Sequence, residues 1–220
     1  MTQDDLQAPD IQPLGEAAVL VTFGHEISPL IARRIRAFAT RVVEAQVNGV
    51  IDIVSGYATL ALHFDPRRNS LSRVCEQVAR VLESDPAEAA EIAGTAFTIP
   101  VRYDGEDLIA VAEHAGLTVQ DVIARHAART YTVYMMGFVP GFAYMGKLDP
   151  DLVVPRRSSP RQRVPAGSVA IAGEQTAVYP LNTPGGWHLL GTTSLALFDP
   201  RRDPPALLQP GDTVRFEPIQ

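Results

Sequence analysis

At 220 residues, with 46% hydrophobic and 20% charged content, the chain is large enough for one large or two small globular domains and too ordinary in composition for a fibrous or disordered protein. A formal net charge of -6 argues against general nucleic-acid binding, and a single cysteine, Cys75, excludes an internal disulfide and fits the cytosol. The opening MTQDDLQAPD is polar and acidic, and no run of about eighteen apolar residues occurs, so neither a secretory signal nor a membrane span is expected. Met1 to Gln12 reads as a disordered tail.

Ala17 to Phe23 then reads as a strand. Ser28-Pro29 marks a helix start, an N-cap followed by proline in the first turn, and Leu30, Ile31, Ile35, Phe38, Val42 and Val43 recur at helical spacing until Asn48-Gly49. Two strands follow, Val50–Val54 and Tyr57–Phe64, the second alternating Ala58, Leu60, Leu62 and Phe64 with more polar residues. A helix is predicted over Ser70–Ser84, with Val74, Cys75 and Val78 on its inner face, which makes Cys75 a small core residue. Ser84 to Gly94 is a plausible boundary. The preceding β-α-β-β-α order matches a split βαβ, ferredoxin-like unit, which Thr95–Tyr103 would complete unless it opens the next domain. The domain division is therefore 1–12, 13–94 and 95–220, and the fold class is α+β.

Helices are predicted at Glu106–His114 and Thr118–Arg129, the second opened by a capping box of Thr118 and Asp121. From Thr130 onward short apolar strands alternate with Gly/Pro turns, as in a small β-barrel or sandwich. Gly137 to Gly191 holds eight glycines and seven prolines but also many large apolar residues, from Phe138, Phe142 and Tyr144 to Tyr179 and Trp187, so it is folded and not a linker. Within it Arg156, Arg157, Arg161 and Arg163 form a basic island, and no Asp or Glu occurs from Leu152 to Gly173. Guanidinium groups suit a carboxylate or phosphate ligand or an acidic partner. A solvated basic loop, or pairing with carboxylates from elsewhere in the chain, explains them equally well.

Familiar catalytic signatures are absent. There is no G-x-x-x-x-G-K-[ST], no G-x-G-x-x-G and no G-x-S-x-G, and the five histidines are scattered without metal-site spacing. Gln175, Thr176, Tyr179, Trp187 and His188 could hydrogen-bond to or stack on a small polar ligand. Barrel core accounts for Tyr179 and Trp187 as well, and a structural histidine accounts for His188. Glu174 could orient an arginine or act as a base, although its place after Gly173 suits a turn. Lys147, the single lysine, sits in a loop setting. Gln175, His188 and Glu174 are the catalytic candidates, with no role assigned among them.

GFVPGFAYM, LDPDL, PRR, PR with VPAGSVAIAG, QTAVYP and TPGGWHLLG, in this order, resemble the motif series of the prokaryotic 5-oxoprolinase B-subunit family, also known as allophanate hydrolase subunit 1, which includes a sporulation-kinase inhibitor. Similar motifs occur in the carboxyltransferase region of urea carboxylase. The resemblance implies a small N-terminal α+β domain, a C-terminal cyclophilin-like β-barrel, and a cytoplasmic subunit of an enzyme that hydrolyses 5-oxo-L-proline to L-glutamate with ATP. It implies pairing with the C-type and A-type subunits of 5-oxoprolinase, a small carboxylate substrate, no nucleic-acid or membrane partner, and no cofactor or metal in this chain, the ATP (with Mg) being used by the complex. By position it carries Arg156, Arg157, Arg161, Gly167, Ser168, Gln175, Thr176, Tyr179, Pro184, Gly185, Gly186 and Trp187 into a cleft or subunit interface. The alternatives it leaves open are a histidine-kinase inhibitor and a urea- or allophanate-type carboxyltransferase component.

Overall fold

The structure, a computed structural model, describes residues 8–83 and 94–220 and divides into two compact units, Met1–Ala93 and Gly94–Gln220. In the first, strands β1 (Asp10–Pro13), β2 (Ala18–Thr22), β3 (Val50–Ser55) and β4 (Thr59–Phe64) form an antiparallel sheet in the order β1-β2-β4-β3. Helices α1 (Pro29–Glu44) and α2 (Leu71–Glu83) belong to the same unit. Ile31, Ile35, Phe38 and Val42 on α1 recur at the spacing of one helix face, and Leu60, Leu62 and Phe64 line one face of β4; together they build this unit's core. Each such side chain taken fully out of water contributes roughly 2 kcal/mol before conformational entropy is charged against it. Cys75 packs partly buried against this core, and burial raises its thiol above the usual range.

Three expectations change here. Ser28 precedes α1, but its side chain makes no capping hydrogen bond; its carbonyl accepts from Ala32 N–H at 2.9 Å. The expected tail to Gln12 contains β1, registered Ile11 to Val21 and Gln12 to Leu20, because Gly15 at φ 69° turns the chain back and Ile11 reaches the core. Residues 1–7 lie outside the described residues, as does most of the expected boundary, 84–93. The ferredoxin-like reading needed Thr95–Tyr103 beside β2. That edge is taken by β1, and β5 (Ala96–Val101) belongs to the second unit's sheet.

The second unit adds α3 (Leu108–Ala115), α4 (Val119–Ala128), β6 (Tyr131–Met136), β7 (Ala143–Gly146), β8 (Arg161–Val164), β9 (Ser168–Ala172), β10 (Gln175–Val178), β11 (Thr183–Gly185), β12 (His188–Thr192) and β13 (Thr213–Pro218). Seven strands run in the order β12-β9-β10-β7-β6-β13-β5. Past the end of β5, Arg102 exchanges two backbone hydrogen bonds with Thr192 of β12, 2.9 and 2.8 Å, which draws the two edges together into a nearly closed barrel. β8 and β11 form a separate two-stranded ribbon. The capping box of α4 is present, Asp121 N–H donating to Thr118 Oγ1 at 3.1 Å and the Asp121 carboxylate accepting from Thr118 N–H.

Every residue of β9 is buried, and its two faces serve different cores. Val169 and Ile171 join the barrel interior with Tyr131, Val133, Met145, Val178, Leu190 and Val214. Ala170 and Ala172 turn outward to Phe142, Tyr179, Trp187 and Leu189. His126 of α4 is wholly buried and stacks on Phe216 with ring centroids 4.6 Å apart. Thr176 Oγ1 donates to the Ala170 carbonyl, so His126 Nε2–H donates to Thr176 (2.9 Å) and Tyr103 Oη–H donates to Nδ1 (2.8 Å). Thr176, expected in a ligand cleft, is therefore a core partner of a structural histidine. Burial pushes His126 down to about 3. The folded protein thus refuses a proton that the unfolded chain accepts below pH about 6.5, and stability falls as pH drops through that window. Between pH 7 and 4.5 this one group removes on the order of 2 kcal/mol. Urea titrations at the two pH values should show a smaller acid loss for His126→Gln than for the unsubstituted chain, and an equal loss would contradict this account.

Candidate functional site

Asp107 stands immediately before α3, where carboxylates are favoured by the helix N-terminus. Its side chain makes no cap, however, and turns to two arginines. Oδ1 accepts from Arg157 Nη1 at 2.7 Å and Arg161 Nη2 at 2.8 Å, while Oδ2 accepts from Leu189 N–H at 2.8 Å. The Asp107 side chain is only 6% exposed. Burial works against its charge, but the hydrogen bonds from Arg161 and Leu189 N–H and the charges of both arginines outweigh that and lower it below the usual carboxylate value. Burial also opposes the Arg161 charge, and Asp107 with Glu106 (Nε to Oε1, 2.7 Å) holds it protonated. Two members of the basic island are thus committed inside the protein. Arg163 is exposed on β8. Among the described residues Arg156 makes no ion pair, and its guanidinium carbon lies 6.0 Å from the Trp187 ring centroid.

Beside Arg156 opens an aromatic cleft of about 210 Å³. Phe142 is its centre, edge-to-face with Phe138 (5.4 Å), Tyr179 (5.3 Å) and Trp187 (5.7 Å), and 4.8 Å from Tyr144. Pro160, Pro184, Gly185 and Gly186 complete the lining. Phe138 occupies the turn between β6 and β7 with φ 68°, a left-handed conformation unusual for an aromatic residue, and stands 58% exposed at the rim. Gly185 is required by contact: a Cβ there would lie 2.3 Å from Tyr179 Oη. Burial raises Tyr144 and Tyr179, the Trp187 backbone N–H donating to the Tyr179 hydroxyl against that trend, so both phenols stay protonated near neutrality. The cleft can stack a flat ring and answer an anion, but its rings offer no general base.

A second groove, about 460 Å³, adjoins the first through Arg156 and lies between α3 and the loop after Val154. His188 lines it, with Nε2–H donating to the Pro155 carbonyl at 2.9 Å. The remaining candidates fall elsewhere. Glu174 is exposed at the β9–β10 turn, 3.8 Å from Lys147, and Gln175 pairs in register with Gly146; neither lines either cavity. Gly167, at φ 84°, packs so closely on the Thr193 carbonyl that a Cβ would stand 2.3 Å from it, and Ser168 is buried. These two shape the turn into β9. Among the described residues no three His, Cys, Asp or Glu side chains gather as metal ligands.

A profile of the carboxyltransferase domain, subdomain C and D, matches residues 9–208. The 5-oxoprolinase B subunit of Bacillus subtilis (strain 168) is 40% identical over 218 residues, covering 94% of this chain and 91% of that one. The protein of the same name from Escherichia coli O157:H7 is 42% identical over 209 residues, covering 93% and 94%. The chain belongs to the 5-oxoprolinase B-subunit family. Among solved structures, TTHA0988 superposes with a TM-score of 0.82 at 44% identity over 92% of this chain, which spans 40% of that longer one.

For this member of the 5-oxoprolinase B-subunit family, sequence reasoning missed Asp107, which sits 50 residues from Arg157 and 82 from Leu189 with no motif to announce it. It also counted Phe142 and Tyr144 as apolar bulk and not as a cleft wall. Asp107→Asn should cost about 3 kcal/mol, since it leaves two partly buried guanidiniums short of a counter-charge; denaturant midpoints would read this, and a loss under about 1 kcal/mol would contradict it. Gly185→Ala should displace the Tyr179 ring and red-shift Trp187 emission while far-ultraviolet circular dichroism stays unchanged. An unshifted emission spectrum would mean that the cleft absorbs the methyl group.

Proposed function

We propose that this chain is one subunit of a cytoplasmic 5-oxoprolinase complex that opens the lactam of 5-oxo-L-proline to L-glutamate at the expense of ATP. The observation that carries the reading is the near-full-length likeness to proteins named as the B subunit of 5-oxoprolinase. In the reaction one water adds to the lactam carbonyl carbon, the ring C–N bond breaks, and the nitrogen takes a proton and leaves as the amine of glutamate, while a second water is consumed as ATP goes to ADP and phosphate. The aromatic cleft suits the substrate: a flat five-membered ring stacks on Trp187 and Phe142, and its carboxylate meets the Arg156 guanidinium.

This chain's share of the work is binding and orientation. The cleft phenols hold their protons, Asp107 is locked between two arginines, and neither cavity includes Glu174 or Gln175. Proton transfer is therefore assigned to the C-type and A-type subunits, and the sequence has no phosphate loop with which to grip a nucleotide in the P-loop manner.

The test is reconstitution. Mixed with those two partners, the chain should release ADP in a 5-oxoproline-dependent manner, and Arg156→Gln should raise KM about tenfold or more through loss of a charge-assisted hydrogen bond. Arg163→Gln, on the exposed face of β8, should leave turnover within about twofold. An assembled complex that releases no ADP in response to 5-oxoproline would sink the reading.

A further inference from the structure

The groove next to the aromatic cleft has a chemistry of its own. Its polar lining is Arg156, Arg157, Ser158, Ser159, His114 and His188, and among the described residues no carboxylate lines it, in a chain whose formal net charge is -6. These groups come from three directions. The loop supplies the two arginines and two hydroxyls, β12 supplies His188, and α3 supplies His114, one helical turn beyond Ala110 on the same face. Val111 and Val154 form an apolar floor.

Asp107 does not cancel this field. Its single charge is shared between Arg157 and Arg161, and the exposed Glu106 answers Arg161, not Arg157. Arg157 is held by one nitrogen, Nη1, so one corner of its guanidinium is anchored while its side chain remains 34% exposed. A guanidinium pre-positioned by a buried carboxylate loses little freedom when it binds an anion. Among the described residues no Phe, Tyr or Trp lines this groove, unlike the neighbouring cleft, so it has no broad apolar ring on which a flat organic ring would stack. His188 lends its ring to the wall and no donor, since its Nε2–H is spent on the Pro155 carbonyl and its Nδ1 is buried. The donors of Arg156, Arg157, Ser158 and Ser159 from the loop and of His114 from α3 are still more than a carboxylate can use, and they match the several oxygens of a tetrahedral dianion.

We propose that this groove is a phosphoryl-binding site, taking a phosphate group, free or carried on a nucleotide, with Arg156 shared between it and the aromatic cleft. The inference goes beyond the 5-oxoprolinase reading and rests on the groove alone. Arg156 then touches both occupants, so that filling one cavity presets the guanidinium for the other.

Trp187 is the chain's one tryptophan and lies under Arg156, which makes its fluorescence a reporter. The full chain is titrated with inorganic phosphate at constant ionic strength, with chloride as the replaced ion. A saturable change is expected, weakened about tenfold or more in Ser158→Ala/Ser159→Ala and in His114→Gln, both surface substitutions that leave the fold intact. A change that is linear in phosphate, or equal in the two variants and the unsubstituted chain, overturns the proposal. Tighter binding of ADP than of phosphate would assign the groove to a nucleotide's phosphates, and the reverse to free phosphate. 5-Oxoproline is titrated in parallel: if it gives no response while phosphate does, the cleft assignment falls and the groove stands.

Discussion

The second unit depends on one carboxylate. Asp107 ties the start of α3 to the loop before β8, to β8 itself and to the backbone of β12, through partners 50, 54 and 82 residues away. Backbone hydrogen bonds run alongside it, from Asp107 N–H to the Leu189 carbonyl (3.1 Å) and from Arg157 N–H to the Gly186 carbonyl (2.8 Å). A buried carboxylate with three donors is costly to desolvate and costly to break, so these segments keep one relative placement. That placement decides how far each arginine is buried. Arg161 lies mostly inside, Arg157 is paired to Asp107 and still reaches the groove, and Arg156 is left exposed beside both cavities.

The aromatic cleft follows from the burial of both faces of β9. A strand packed on one side only would leave Ala170 and Ala172 in water. Here a second apolar layer of Phe142, Tyr179, Trp187 and Leu189 covers them. The small side chains of β9 let those rings come close, and Gly185 lets Tyr179 lie flat beneath the ribbon of β8 and β11. The cleft is thus carried on the outer surface of a packed barrel, which fixes ring positions better than a free loop could. Only Phe138, at the rim and in a strained backbone conformation, stands out from this layer.

What the sequence disclosed depended on the range of the interaction. Periodicity gave α2 and β4 to within a residue or two, and α1 at its start, although that helix ends at Glu44, short of the expected stop at Asn48-Gly49; the Thr118–Asp121 spacing marked the start of α4, because these signals lie within a few residues of each other. The Gly/Pro-rich window was legible as folded. Pairing partners were not. Nothing local in Asp10–Pro13 distinguishes a strand from a tail, since its stability comes from β2. Nothing local in Ala96–Val101 says that it joins β13 and not the first sheet. The site was read in the same way. Trp187, Tyr179, Gly185 and Arg156 fall together, whereas Thr176 and Ser168 carry hydroxyls that looked available and are consumed by the core. His126, one of five scattered histidines, is the hub of that core.

β13 lies between β6 and β5, pairing antiparallel with one and parallel with the other. It is the last strand in the chain and sits inside the sheet. During synthesis, β5 through β12 leave the ribosome with a gap where this strand belongs, and β5 stays unpaired along the edge that will receive it. The barrel cannot close until residues 213–218 emerge, so the nascent second unit passes through a long stage with open strand edges. The first unit, whose strands pair only among themselves, can be complete by then. The order of manufacture is thus a finished sheet followed by a ring held open until its final strand.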